Sequence, residues 1–237
     1  MSSMRLDKFL TMMGLGTRSE VKKILKNGTI SINGVPAKKP ELKVDPAIDR
    51  ISVDGQEISV QKFVYLMLNK PKGYISATED RSQQTVLDLV PEEYLHRNLF
   101  PAGRLDKDTT GLMLITDDGD FAHNILAPKK HVSKTYNVTI DIPMTEEMVT
   151  GFRDGVKLND GECKAAGLTI TGEHTGIVVL TEGRYHQIKR MFGCYGAKVT
   201  ELERIAMGNL QLPADLEPGQ TREFTEEELK LIREIIE

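Results

Sequence analysis

The 237-residue sequence predicts an α+β protein in two parts, a small helix-led module followed by a larger sheet domain, and three observations carry that prediction. Two helix-spaced segments and a few short β-patterned pieces fill roughly the first quarter of the chain. After them, strand-like apolar runs alternate with helical patterns to the end. Charge is also segregated: residues 1–62 carry 11 Lys or Arg against 7 Asp or Glu, and residues 201–237 carry 4 against 10, on a chain of net charge −4. A basic front end on an acidic chain suits a surface that attracts phosphates while the remainder stays soluble. A merely solvated basic face gives the same counts.

Leu6, Phe9, Leu10 and Met13 recur at helical spacing. Gly14 and Gly16 then read as a helix-ending turn, because no strand precedes them as a nucleotide fingerprint requires. Thr17 suits the N-cap of a second helix that buries Val21, Ile24 and Leu25 and ends at Asn27-Gly28. Arg18, Lys22 and Lys26 lie four apart on that helix, so they share one face, available to a phosphate backbone or simply solvated. Residues 29–32 and 50–53 read as strands, and Asn33-Gly34 and Asp54-Gly55 as tight hairpin turns. The texture changes near residue 60, which predicts domains at 1–60 and 61–237. Gln61-Lys62-Phe63 leads into the apolar run Val64–Leu68, a central strand, followed by Asn69-Lys70-Pro71-Lys72-Gly73. Further strands are expected at 112–116, 134–140, 166–170, 176–180 and 197–202, and helices at 118–126, 145–153 and 185–193. A last helix at 225–236 offers Leu229, Ile232, Ile235 and Ile236 for docking and places Glu226, Glu227 and Glu228 near its N-terminus, where the helix dipole favours them.

Composition narrows the function classes. A hydrophobic content of 39% supports a buried core. No apolar run approaches the roughly 20 residues that cross a bilayer, and Met1–Arg5 lacks the apolar core of a signal peptide, so a cytoplasmic protein without a membrane partner is expected. Cys163 and Cys194 lack metal-ligand spacing and read as reduced, packed thiols. The cluster Asp117-Asp118-Gly119-Asp120 reads as a helix cap, since the glutamate that closes a calcium loop is absent. No phosphate loop is present either, so neither a metal nor a cofactor is expected.

Three segments carry the candidate chemistry. In Gly103–Leu112 an arginine and a carboxylate, Arg104 and Asp106, precede the strand Leu112–Ile115, where charged groups are either paired with each other or held for a reaction. Arg5-Leu6-Asp7 repeats the tripeptide; there Leu6 fits a helix's apolar face and the charges read as flanking surface groups. The second segment, His131–Val138, contains Tyr136, which suits either a half-buried strand position or a stacking platform. The third is Glu182–Phe192. Residues 183–198 contain four Lys or Arg and no acid, and on a helix Ile188 and Phe192 face inward while Lys189 projects toward a cleft or into solvent.

Together these segments resemble the RsuA-type pseudouridine synthases, which modify ribosomal RNA. The resemblance spans nearly the whole chain. It rests on Arg5–Leu10, Arg18-Ser19 and Gly28–Gly34, similar to the alpha-L RNA-binding domain of a ribosomal protein, on Leu68–Gly73 and Gly103–Leu112, and on Lys134-Thr135-Tyr136 and Glu182–Phe192. It implies a mixed, mostly antiparallel sheet in the catalytic domain. It further implies that Asp106 is the catalytic carboxylate, Tyr136 the aromatic that meets the target uracil and Lys189 the basic partner of Asp106. Arg104, Arg184 and Arg190, with Arg18, Lys22 and Lys26, are the implied RNA contacts. The wording of Arg184–Arg190 is nearest to the small-subunit member, implying position 516 of 16S RNA as target and ribosomal RNA or a partly assembled small subunit as partner of a monomeric enzyme. A large-subunit enzyme of the same family, a non-catalytic ribosome-assembly factor and a metal-dependent nuclease are the competing readings.

Overall fold

The computed structural model describes residues 3–46, 48–58, 63–127 and 130–236, except the side chains of Arg233, Ile235 and Ile236. The chain falls into two compact units, Met1–Lys62 and Phe63–Glu237.

The first unit contains β1 (Met4–Arg5), α1 (Leu6–Met12), α2 (Arg18–Asn27), β2 (Ile30–Ile32), β3 (Val35–Pro36), β4 (Lys43–Val44), β5 (Ile51–Val53) and β6 (Gln56–Ile58). Four strands form an antiparallel sheet in the order β3-β2-β5-β6, and β1 pairs with β4. Leu6, Phe9 and Leu10 of α1 and Val21 and Leu25 of α2 pack with Ile30, Val44 and Ile51 in one buried core. α2 starts at a capping box: the Thr17 hydroxyl accepts from the Glu20 amide, and the Glu20 carboxylate accepts from the Thr17 amide. Gly28 ends it in the left-handed region at φ 76°, where a side chain is strained. Asp7 departs from its expected surface role. It is buried, and Arg5 donates to both its oxygens at 3.0 and 2.8 Å, a pairing that makes burial of the carboxylate tolerable.

The second unit contains β7 (Tyr65–Lys70), β8 (Phe100–Pro101), β9 (Thr110–Thr116), α3 (Gly119–Leu126), β10 (Lys134–Ile140), α4 (Glu146–Asp154), β11 (Lys157–Leu158), β12 (Gly161–Glu162), β13 (Gly167–Ile170) and β14 (Thr175–Leu180). It continues with α5 (Gln187–Gly193), β15 (Val199–Met207), β16 (Leu210–Gln211), β17 (Thr221–Glu223) and α6 (Glu226–Ile236). One mixed sheet runs β13-β14-β10-β15-β9-β7-β17, with β16 on β15 and β8 on β9; among its strand pairs only β15 and β9 run parallel.

β7 and β9 are covered on both faces, which explains their unbroken apolar runs. Leu66, Leu68, Met113 and Ile115 enter the core that α4 and α5 close through Met148, Phe152, Ile188, Met191 and Phe192. Met67, Leu112 and Leu114 point the other way, against Phe121 and Ile125 of α3 and Ile232 of α6. Each such fully buried side chain is worth roughly 1.5–3 kcal/mol, so the sheet is a rigid base for the loops at its edge.

The elements differ from the sequence expectation in a few places. β15 reaches Met207 because β10 pairs along most of its length and β9 adds a parallel contact. α5 starts at Gln187 because His186 takes a left-handed backbone at φ 48°. Asp118 caps α3 by accepting from the Phe121 amide, while Asp117 accepts from the Val64 amide and from Arg97, so this acidic cluster is structural. Cys163 is buried, but Cys194 is exposed, correcting the expectation of two packed thiols; both are free. The Ile235 and Ile236 side chains, and residues 61 and 62, lie outside the described part.

Candidate active site

Asp106 sits on the loop between β8 and β9, and that loop is fixed from beneath. The Lys70 ammonium is fully buried at the end of β7 and donates to the carbonyls of Pro71, Asp106, Lys107 and Thr109 at 2.8–3.2 Å. Ser76 adds a two-way bond, its hydroxyl donating to the Leu105 carbonyl at 2.8 Å and accepting from the Leu105 amide at 2.9 Å. With these carbonyls turned inward, the Asp106 carboxylate faces the opening. Gly111, just beyond the loop at φ 97°, lies against the Arg204 backbone; a Cβ there would collide with the Arg204 carbonyl.

The carboxylate meets the Lys189 ammonium of α5 and the imidazole of His186, the residue just before that helix. Lys189 Nζ lies 3.2 Å from Asp106 Oδ2 and 2.7 Å from Asp108 Oδ1, and His186 Nε2 is 3.5 Å from Asp106 Oδ1. Burial pulls Lys189 down, but its hydrogen bond to Asp108 and the Asp106 charge outweigh that, leaving the ammonium above its ordinary value. Asp108 is correspondingly held low, chiefly by the Lys189 hydrogen bond. The site is reached from a cleft of about 1050 Å³ whose lining includes Arg104, Asp106, Tyr136, His186 and Lys189.

Tyr136 arrives from the central strand β10, buried, opposite Val178 of β14 and Arg204 of β15. The β10–β15 register shifts between Thr135 and Tyr136, so Ile205 is an extra residue at a bulge beside the cleft. Arg204 is fully buried, and its Nε donates to the Leu112 carbonyl at 2.7 Å. Lys134 is lowered by burial and then by the Arg204 charge, and Lys70 is brought down to about 8, mainly by burial.

The structure therefore brings Asp106, Tyr136 and Lys189 to one cleft. Arg104 lines the same cleft, exposed and without an ion-pair partner among the described residues. Arg184 and Arg190 are placed differently from free RNA-contacting groups. Both pair with Asp160 of the β11–β12 turn, Arg184 at 2.6 Å, and Arg184 also donates to the Gly161 and Glu162 carbonyls. Two guanidiniums on one carboxylate hold Asp160 far below the usual carboxylate range and lash α5 to that hairpin. In the first unit, Arg18, Lys22 and Lys26 form an exposed face of α2 with no ion pair among the described residues.

Sequence reasoning overlooked Lys70, His186, Asp108 and Asp160. Lys70 carried one signal, an isolated lysine ending an apolar strand. His186 carried none, because only the fold brings it to Asp106. Among the described residues no group of three or more His, Cys, Asp or Glu is arranged to hold a metal, and no helix is long and apolar enough to cross a membrane.

Comparisons with known proteins identify the family. Residues 64–193 match the RNA pseudouridylate synthase family and residues 4–47 match the S4 domain. The uncharacterized RNA pseudouridine synthase YtzG of Bacillus subtilis is 45% identical over 98% of this chain and 99% of its own length. The ribosomal small subunit pseudouridine synthase A of Escherichia coli K12 is 38% identical over 95% of this chain and 98% of its own. A solved structure of a pseudouridylate synthase superposes with a TM-score of 0.69 at 35% identity, covering 97% of this chain and 100% of that one.

Proposed function

The chain belongs to the RNA pseudouridylate synthase family, and on that premise we propose that it isomerises a uridine of small-subunit 16S ribosomal RNA to pseudouridine, with Asp106 as the catalytic carboxylate. The observation that carries the assignment of roles is the Asp106–Lys189 pair at the cleft, with Tyr136 beside it.

The isomerisation breaks the bond from uracil N1 to C1′ of the ribose, turns the freed base, joins C5 to C1′ and moves the C5 proton to N1. The composition of the nucleotide is unchanged, so no redox partner is consumed. Asp106 supplies the nucleophile, and the Lys189 ammonium beside it orients the carboxylate. Tyr136 gives the detached base a face to rest on while it turns and assists loss of the C5 proton. The target base must first leave the RNA stack. Arg104, exposed at the cleft and without an ion-pair partner among the described residues, then contacts the phosphate of the extruded nucleotide or fills the place the base has left. Arg18, Lys22 and Lys26 on α2 grip the phosphate backbone elsewhere on the RNA. The protein works as a monomer in the cytoplasm, on free ribosomal RNA or on a partly assembled small subunit.

The test is Asp106→Asn assayed on 16S RNA lacking the modification. RNA binding is expected to persist while pseudouridine formation disappears, and retained turnover would remove Asp106 from its role. Pseudouridine maps of cellular ribosomal RNA with and without this gene identify the uridine. Wild-type activity in excess chelator separates this reaction from metal-dependent phosphodiester cleavage.

A further inference from the structure

Tyr185 and His186 lie between the Arg184–Asp160 tether and Lys189, and the mechanism above uses neither. Their rings are stacked, with centroids 3.8 Å apart and planes 19° from parallel. Tyr185 is 76% exposed although its backbone carbonyl is held by Arg190. A large aromatic ring left in water at a held position forgoes its burial, which is common for a mobile surface residue and unusual for one fixed by its backbone and its neighbour's ring.

The hold comes from both sides. Arg190 donates to the Tyr185 carbonyl at 3.3 Å while paired with Asp160, and the Arg184 amide donates to the Gln187 side chain at 3.0 Å. His186 adopts φ 48° and ψ 34°, a left-handed conformation that costs a non-glycine residue and persists only when surroundings impose it. That conformation lays the imidazole against the phenol ring and brings its Nε2 to 3.5 Å from Asp106. The tyrosine face is thus one stacking distance and one polar contact from the catalytic carboxylate, and both rings line the cleft.

We propose that the Tyr185–His186 stack is a platform for an unpaired nucleobase of the RNA, the one adjoining the target uridine. This rests on the pseudouridine synthase reading and deepens it. Single-stranded RNA is recognised by stacking splayed bases on aromatic side chains, and a nucleotide next to an extruded base has lost one stacking neighbour. The platform returns that neighbour. It selects substrates whose target lies in a loop or bulge, because a base held in a duplex cannot reach it. Asp160 is then a positioning residue, holding through Arg184 and Arg190 the segment that carries the platform.

The test uses a 16S RNA fragment containing the mapped uridine, with 2-aminopurine placed at either neighbour, bound to Asp106→Asn so that no turnover occurs. Quenching of one of the two probes is expected, and it disappears when Tyr185→Ala is added. In the otherwise wild-type enzyme, Tyr185→Ala raises KM about tenfold with little change in kcat, the size expected for one stacked base, and Tyr185→Phe restores KM. An abasic site at the quenched position costs the wild-type enzyme the same factor and Tyr185→Ala nothing more. Unquenched probes, a Tyr185→Ala enzyme with unchanged KM, or additive losses from the two changes overturn the platform while leaving the enzyme a pseudouridine synthase. A wild-type enzyme that forms no pseudouridine overturns the functional reading and the platform with it.

Discussion

In Arg5-Leu6-Asp7 the guanidinium folds back on its own carboxylate at 2.8 and 3.0 Å, whereas in Arg104-Leu105-Asp106 the guanidinium stays exposed and the carboxylate is taken by Lys189 and His186. The central leucine is buried in both segments, so the difference lies in the backbone on either side. Asp7 opens a helix, and its side chain turns to the residue just before that helix and to the Lys8 amide at 2.9 Å. Asp106 lies on a loop whose carbonyls are drawn inward by Lys70, which leaves its carboxylate at the cleft, 27% exposed, with its cation, Lys189, supplied from a helix some eighty residues later. Three identical residues become a structural clasp in one unit and a carboxylate presented to a cleft in the other because different parts of the chain supply the partner.

Exchanging the two carboxylates for amides breaks the comparison most sharply. Asp106→Asn is expected to remove turnover while leaving the thermal unfolding midpoint of the second unit unchanged. Asp7→Asn is expected to do the reverse, lowering the stability of the first unit by about 1–3 kcal/mol through a weakened pair at a buried position, with the chemical step intact. Calorimetry with single-turnover assays on saturating RNA reads both, and equal effects of the two changes on turnover would abolish the contrast.

Lys70→Met attacks the feature that turns Asp106 outward. Removing the ammonium takes its donor from the Thr109 carbonyl, while the Asp106 and Lys107 carbonyls keep the Thr109 and Gly73 amides, and a stability loss of about 1–3 kcal/mol is expected, together with a marked fall in kcat as the carboxylate loses its fixed position. The pH dependence has a definite sign. Burial holds Lys70 at about 8 in the folded protein against an ordinary 10.5, so between those values the unfolded chain carries the extra proton. Stability from this group therefore rises with pH across that window, and Lys70→Met flattens the rise in urea titrations run from pH 7.5 to 10.5.

Much of this contrast was open to a reader of the sequence, and the remainder was closed for physical reasons. α2 announces itself through Thr17 and Glu20, and β10 through its β-rich run, because caps and periodicity are local. The identical tripeptides looked alike because a partner's identity is not local. Asp7 carries no sign of burial, and His186 reaches Asp106 only through a left-handed backbone that spacing does not encode. β17 has three polar residues, Thr221–Glu223, and exists because β7 offers it an edge some 150 residues earlier in the chain. Asp160 sits in what reads as an ordinary polar turn, and its value as a tether appears only when Arg184 and Arg190 arrive from the other end of the hairpin's contact.

The smallest expected effect lies within the Asp106 loop itself. Lys189 is shared, closer to Asp108 than to Asp106, yet Asp108 is 69% exposed, so its ion pair is screened and worth less than about 1 kcal/mol. Asp108→Asn should change turnover at neutral pH no more than about threefold, because Lys189 remains beside Asp106 and remains charged. Its effect belongs at high pH. Asp108 and Asp106 together hold Lys189 above 10.5, so the stability this group contributes is fully present below that value and is lost as pH rises through the folded value. Removing the Asp108 partner lowers the folded value, and the alkaline loss of activity from Lys189 deprotonation moves to lower pH in the variant. A variant whose alkaline limb stays in place would mean that Asp106 alone keeps the lysine charged, bringing the Asp106–Lys189 pair closer to the self-sufficient clasp of Arg5 and Asp7.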